Sequence, residues 1–415
     1  MLTPKQQTVL HQAFTNHDWR LMINYGAVRA GKTIVDNIIF LYEVRRVAQQ
    51  AQARGIENPL YILAGVSSKT IWNNVLIPLM NTFEINPAFD THKNFKLFGV
   101  TIVQAYTGSV GGLGGIRGLT AWGAYINEAS MANEEVFTEI RNRCSESGAR
   151  VVCDTNPDVP THWLKKKYID NPDKHIISNH FVLDDNTFLD PEYIAGLKAT
   201  TPSGMFYDRA ILGLWVADEG IVYKDFDKDK MVIQQPLYPL TYYTAGIDWG
   251  YEHPTSIVVF GHDDYGNHYL IEEHTAKYKE IDYWIEVANE IRKRYGQGMR
   301  FYADTARVEH IESFKQHGIN CLYGYKNVLD GIERVAKSMK TNHFYVLQQA
   351  SEHFLEEVYT YVWDDRKGTP VKEHDHICDA VRYCLATPEY LAEQQAAYNH
   401  TNHAQIRQGL KNMGL

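Results

Sequence analysis

Gly26-Ala27-Val28-Arg29-Ala30-Gly31-Lys32-Thr33 fits the pattern Gly-x-x-x-x-Gly-Lys-Ser/Thr. A loop of this kind between a strand and a helix wraps phosphate groups with backbone N–H groups, and the helix N-terminus adds partial positive charge. In that role Gly26 and Gly31 allow the close wrap. Lys32 neutralises the outer phosphates of ATP, and Thr33 holds Mg²⁺. Arg29 lies inside the loop, within reach of a γ-phosphate.

Hydrolysis also needs a base near the phosphates. Glu128 follows the apolar run Ala124-Tyr125-Ile126 and is the candidate to polarise the attacking water. A metal-holding acid commonly precedes such a glutamate. Here the position is Asn127, read as a neutral oxygen ligand. Arg117, in Ile116-Arg117-Gly118, suits an arginine finger offered to a neighbouring subunit. Asn156, in Thr155-Asn156-Pro157, is a candidate sensor of the γ-phosphate.

A second group of residues suggests different chemistry. Asp248 ends the strand-like run Ala245-Gly246-Ile247, and Asp304 ends Phe301-Tyr302-Ala303. Asp375 and Asp379 are four apart, which places them on one face if the segment is helical. Converging carboxylates repel one another, and divalent cations relieve that repulsion. Hard oxygen donors favour Mg²⁺ or Mn²⁺. Two such ions about 3.5–4 Å apart would clamp a phosphodiester during in-line attack. His374 and His376 read as solvated or supporting groups rather than ligands.

The elements that position these residues follow from patterning. Thr3-Pro4 opens a helix, Leu21 to Tyr25 reads as a buried strand, and a helix runs from Thr33 to about Gln50. Leu60 to Leu63, Gly123 to Asn127 and Arg150 to Cys153 read as further short strands. Strands alternating with helices imply a doubly wound α/β domain. The glycine-rich stretch 108–118 reads as a mobile surface loop without regular structure. From Tyr242, three strands in hairpin order and a helix from about Glu280 suggest a second α/β domain. The expected division is 1–175, a small lid or linker at 176–225, 226–390, and a polar tail at 391–415.

Composition narrows the function classes. The 415 residues carry 41 Lys+Arg and 50 Asp+Glu, a net charge of −9. Residues 1–220 hold 20 basic and 22 acidic residues, and 221–415 hold 21 and 28. A generally basic coat for nucleic acid is excluded, so any grip on DNA must be local. Lys165-Lys166-Lys167, Arg141 with Arg143, and Lys326 are the candidate patches, with a solvated helix face the plainer reading of the lysine run. The five cysteines show no CxxC spacing and read as reduced thiols. No apolar run approaches the roughly 18 residues of a membrane helix, so a cytoplasmic protein is expected.

The chain resembles the large terminase subunit of tailed bacteriophages over about residues 1–390. The resemblance rests on the arginine-containing phosphate loop, Ile116-Arg117-Gly118, Thr155-Asn156-Pro157 with His162-Trp163, and Gly213-Leu214-Trp215. It continues through Gly246-Ile247-Asp248-Trp249-Gly250, Tyr302-Ala303-Asp304 and Asp375…Asp379-Ala380…Arg382-Tyr383. It implies an N-terminal P-loop ATPase domain of the ASCE type with a small lid, joined to an RNase H-like nuclease domain. It implies that Gln6 contacts adenine, that Arg117 is offered to the neighbouring subunit, and that Asn156 couples hydrolysis to movement. It implies Asp248, Asp304 and Asp379 as a nuclease metal triad with Asp375 close by, using Mg²⁺ or Mn²⁺. The implied partners are double-stranded DNA, a phage portal protein, a small terminase subunit and further copies in a ring, all in the host bacterial cytoplasm. Asn127 departs from the family pattern. So does His253-Pro254-Thr255, where relatives often have Asp-Pro-Thr, which puts an accessory metal contact there in doubt. Two competing readings are a helicase-like repair ATPase with a nuclease, and a non-catalytic assembly protein with a decayed phosphate loop.

Overall fold

The computed structural model describes residues 2–217, 220–364 and 367–412, with side chains to residue 396. The chain forms two compact units, Met1–Lys198 with Met205–Ala217, and Ala199–Gly204 with Asp218–Leu415.

The first unit is built on seven strands: β1 (Leu21–Gly26), β2 (Leu60–Gly65), β3 (Phe95–Leu97), β4 (Val100–Tyr106), β5 (Gly123–Ile126), β6 (Arg150–Thr155) and β7 (Ile176–Phe181). Their order is β3-β4-β2-β5-β6-β1-β7, parallel except for β3 against β4. Strand alternation divides the apolar residues between two cores. Met22, Leu63 and Val152 join one, while Leu21, Ile23, Ile62 and Val151 join the other. Both faces are therefore buried, as parallel sheets require. One strand, β6, separates β1 from β5, which is the ASCE arrangement.

The glycine-rich stretch departs from expectation. Val110–Gly115 forms a 3₁₀ helix, pinned by buried Leu113 and Ile116. Glycine is needed at Gly112 because a Cβ there would lie 1.9 Å from the Tyr106 carbonyl oxygen.

The second unit also has seven strands: β8 (Val232–Ile233), β9 (Tyr242–Asp248), β10 (Thr255–His262), β11 (His268–Ala276), β12 (Arg300–Ala303), β13 (Cys321–Tyr323) and β14 (Phe344–Leu347). Their order is β13-β12-β9-β10-β11-β14-β8. The β9-β10-β11 meander is antiparallel, and β12 and β13 continue parallel to β9. This is the RNase H order, extended by β14 and β8. A helix, His376–Asn412, lies on β9, β10 and β12. Its approach to β9 depends on Gly246, where a Cβ would fall 1.9 Å from the Ala380 carbonyl oxygen. The helix begins at His376, so Asp375 stands at its N-cap, one turn before Asp379, and both side chains reach the same cavity. The Asp375 carbonyl accepts the first bond of the helix, from the Asp379 N–H at 2.7 Å. The tail expected from 391 continues this helix to Asn412, and its side chains after 396 lie outside the described residues.

Among the described residues no helix is long and apolar enough to cross a membrane. All five cysteines are free.

Candidate functional sites

In the first unit β1 ends at Gly26, and the helix Lys32–Ala53 begins just after Gly31. Gly31 adopts φ 89° and caps that helix without any side-chain bond. The helix N-terminus is thus left open to an anion. Gly26 has φ 143°, and a Cβ there would meet the Phe181 carbonyl oxygen at 1.9 Å. The loop borders a cleft of about 440 Å³ with Arg29, Gly31, Lys32, Thr33, Asn74, Glu128, Asp154 and Asn156 in its walls.

Lys32 is buried, and its Nζ donates to the carbonyls of Gly26 at 3.0 Å and Ala27 at 2.5 Å and to Asn156 Oδ1 at 3.0 Å. Burial lowers its ammonium to about 8, against the opposing pull of Asp154 and Asp36. Those acceptors hold the ammonium in the cleft, where a phosphate can take their place. Glu128 stands in left-handed backbone conformation at φ 57°. Its carboxyl is raised, first by burial and then by the charge of Asp154. A base so raised is better matched to accepting a proton near neutral pH.

Three expected residues sit elsewhere than at the cleft's centre. Arg29 is exposed, and its carbonyl accepts from Asn186 Nδ2 at 2.7 Å. Arg117 is exposed on the turn after the 3₁₀ helix and does not line the cleft. Gln6 is buried and does not line it either. Its amide closes a capping box with Thr3 and donates to the Gly31 carbonyl at 3.2 Å.

Asn127, read as a neutral oxygen ligand, is held in a side-chain network. Its Oδ1 accepts from Asn74 Nδ2 at 2.9 Å, and its Nδ2 donates to both Asp154 oxygens at 2.9 and 3.2 Å. Asp154 was missed in the sequence. It follows the apolar run Val151-Val152-Cys153, the same strand-end pattern that picks out Asp248 and Asp304.

In the second unit a cavity of about 1080 Å³ gathers Asp248, Asp304, Asp375 and Asp379 in its walls. Asp248 closes β9, and Asp304 follows β12, its N–H donating to the Ile247 carbonyl at 2.9 Å. Burial is the main force raising the Asp248 carboxyl to about 7. The charges of Asp379 and Asp304 add to it, and the hydrogen bond from His376 opposes it. Asp375 is raised by burial and by Asp379.

Side chains that were not singled out as site residues hold these carboxylates. His376 Nδ1 lies 3.0 Å from Asp248 Oδ2, and that hydrogen bond raises the imidazole. Tyr383 Oη donates to Asp304 Oδ1 at 3.2 Å, and Arg382 pairs with Asp379 Oδ2 at 3.0 Å. Glu357 accepts the N–H groups of Ile377 and Cys378 and so caps the helix that carries Asp379. His253 stacks on His376, with ring centroids 5.8 Å apart. Among the described residues, no three His, Cys, Asp or Glu side chains are already closed around one point. The donor set nonetheless fits a hard divalent cation. Four carboxylates share one cavity, and a cation there would offset both the burial that raises Asp248 and Asp375 and the repulsion that adds to it.

The basic patches are mostly spent on local pairs. Lys165 pairs with Asp170 at 2.6 Å, Lys167 with Glu134, and Arg143 with Glu139 at 3.0 Å. Arg141 covers the Tyr168 ring at 4.6 Å. Lys326 is exposed. Lys277 and Lys372 line the carboxylate cavity itself.

An α/β P-loop unit of the ASCE type followed by an RNase H-like unit defines the class. The family model for the phage terminase large subunit matches residues 120–203. The large terminase of a thermophilic bacteriophage is 26% identical, with a TM-score of 0.78 over 92% of this chain and 98% of that one. The same phage protein in complex with ADP gives a TM-score of 0.76, and in complex with ATP-γ-S 0.73, each at 26% identity over 93% of this chain and 99% of that one. No curated protein matches. The chain is thus similar to phage large terminase subunits, in sequence over residues 120–203 and in fold over most of its length.

Proposed function

We propose that the chain is a viral DNA-packaging motor. It hydrolyses ATP to move double-stranded DNA into a procapsid, and it cuts concatemeric DNA with a metal-dependent endonuclease. The observation that carries this reading is the pairing, in one chain, of a phosphate-loop cleft bearing Glu128 with an RNase H-like sheet whose strand-end carboxylates share a cavity. The ADP and ATP-γ-S complexes of the thermophilic phage's large terminase support ATP as the nucleotide.

In this mechanism the open N–H groups after Gly31 and the Lys32 ammonium bind the phosphates. Thr33 orients Mg²⁺, Glu128 accepts the proton of the attacking water, and Asn156 senses the γ-phosphate. Gln6 meets adenine, Arg29 reaches the phosphates from within the loop, and Arg117 acts on a neighbouring copy in a ring. Of the lid expected at 176–225, between an ATPase domain at 1–175 and a nuclease domain at 226–390, β7 is fixed in the first sheet beside β1, and the segment after Phe181 passes hydrolysis to movement. At the second site Asp248, Asp304 and Asp379, with Asp375 beside them, hold Mg²⁺ or Mn²⁺. An ion held by these carboxylates would supply Lewis-acid polarisation of the phosphodiester and of the attacking water. Lys277 and Lys372 are suited to DNA phosphates. The portal protein and small subunit complete the machine in the host cytoplasm.

A plasmid-nicking assay with Mn²⁺, Mg²⁺ or EDTA tests the nuclease half. Cutting should need the metal and disappear in Asp379→Ala. Cutting that persists in EDTA, or in the folded variant, sinks that half.

A further inference from the structure

We propose that Asp154, not residue 127, is the carboxylate that completes the magnesium side of the nucleotide cleft. This rests on the ATP reading above and adds a residue to it. The strand order makes the substitution geometrically natural. Because β6 lies between β1 and β5, a side chain at the end of β6 is flanked by the phosphate loop on one side and by Asn127-Glu128 on the other.

Asp154 is 2% exposed, and donors converge on it from both sides. Thr33 Oγ1 donates to its Oδ2 at 2.6 Å. Asn127 Nδ2 reaches both oxygens, the Glu128 N–H donates to Oδ1 at 2.9 Å, and Tyr125 Oη reaches Oδ2 at 3.4 Å. The Thr33 hydroxyl with its proton on Asp154 keeps its lone pairs for a cation. The same carboxylate anchors the left-handed backbone turn at Glu128. One buried acid thus ties the metal-facing threonine to the residue proposed as base.

Asn127 then has a reason to be neutral. Its amide nitrogen faces Asp154, so an aspartate there would set two carboxylates about 3 Å apart. The amide clamps the relocated acid instead of repelling it. Residue 127 is a changed position compensated on the next strand rather than a decayed one.

Titrating full-length protein with ATP-γ-S calorimetrically, in Mg²⁺ and in EDTA, tests the assignment without relying on turnover. In wild type magnesium tightens binding. In Asp154→Asn that enhancement, the ratio of affinities with and without Mg²⁺ in the same protein, should shrink by about 10-fold or more. Asn127→Asp, which keeps Asp154, should also weaken the enhancement. A wild-type enhancement in folded Asp154→Asn overturns the proposal. So does a stronger one in Asn127→Asp, which alone decides the matter if Asp154→Asn does not fold. Wild type that binds no ATP-γ-S under either condition refutes the ATP reading itself, and with it this inference.

Discussion

Gly246→Ala probes how the fold builds the second site. Gly246 lies in β9, two residues before Asp248, and faces the backbone of the helix that carries Asp379. An added Cβ would sit 1.9 Å from the Ala380 carbonyl oxygen and 2.8 Å from Cys384 Cβ. Backbone atoms cannot swing aside as a side chain would. Strand and helix must separate by about 1 Å to reach a 3.0 Å contact. Ala380 is the neighbour of Asp379, so that carboxylate moves away from Asp248 by a similar amount. Overpacking of this kind costs about 1–3 kcal/mol, which leaves the unit folded. A displacement of 1 Å at reacting groups costs about 10²-fold in rate. The assay is Mn²⁺-dependent plasmid cutting, with ATP turnover measured alongside. Cutting should fall by about two orders of magnitude while ATP turnover holds near wild type. A variant that folds and cuts at the wild-type rate would refute the idea that close packing at Gly246 sets the carboxylate geometry.

Two further perturbations have signs fixed by the structure. The folded Asp248 carboxyl sits near 7 against an ordinary 3.8, so between those values the folded state binds the extra proton. Without metal, stability should fall as pH rises from about 4 to 7, by at most about 4 kcal/mol from this group. His376 is also raised, and its contribution fades as pH rises above its ordinary 6.5. Urea unfolding in EDTA, followed by hydrogen exchange at β9, should show a slope that Asp248→Asn largely removes; an unchanged slope counts against the assignment. In the first unit Glu43 is buried between Arg46 and Arg150, 3.1 Å from Arg150 Nη1. Glu43→Ala strands a buried guanidinium and should cost about 3–5 kcal/mol in denaturant unfolding. A loss below about 1 kcal/mol would show that water reaches Arg150.

The sequence announced most of this fold because its strongest signals are local. The phosphate loop is contiguous, β1 is an unbroken apolar run, and the β9–β11 meander alternates with a turn at Asp263-Asp264-Tyr265-Gly266-Asn267. The candidate site residues do line the two cavities, apart from Gln6, Gly26 and Arg117. What stayed hidden depends on contacts between distant segments. Asp154 meets Thr33 across 121 positions, and His376 meets Asp248 across 128, so no spacing rule reveals either. The glycine-rich stretch misled for a different reason. Its glycines suggested freedom, but Gly112 is there for a close backbone approach, and Leu113 with Ile116 anchors the segment. The i, i+4 spacing of Asp375 and Asp379 does bring both to one cavity, although Asp375 is the N-cap of a helix that starts at His376.

The proposed function requires two separate catalytic sites in one chain. Measuring DNA-stimulated ATP hydrolysis and Mn²⁺-dependent plasmid cutting side by side, in folded Glu128→Ala and Asp248→Ala, tests it most directly. Glu128→Ala should abolish hydrolysis and keep cutting, while Asp248→Ala should keep hydrolysis and abolish cutting. Loss of both activities in either variant would contradict it.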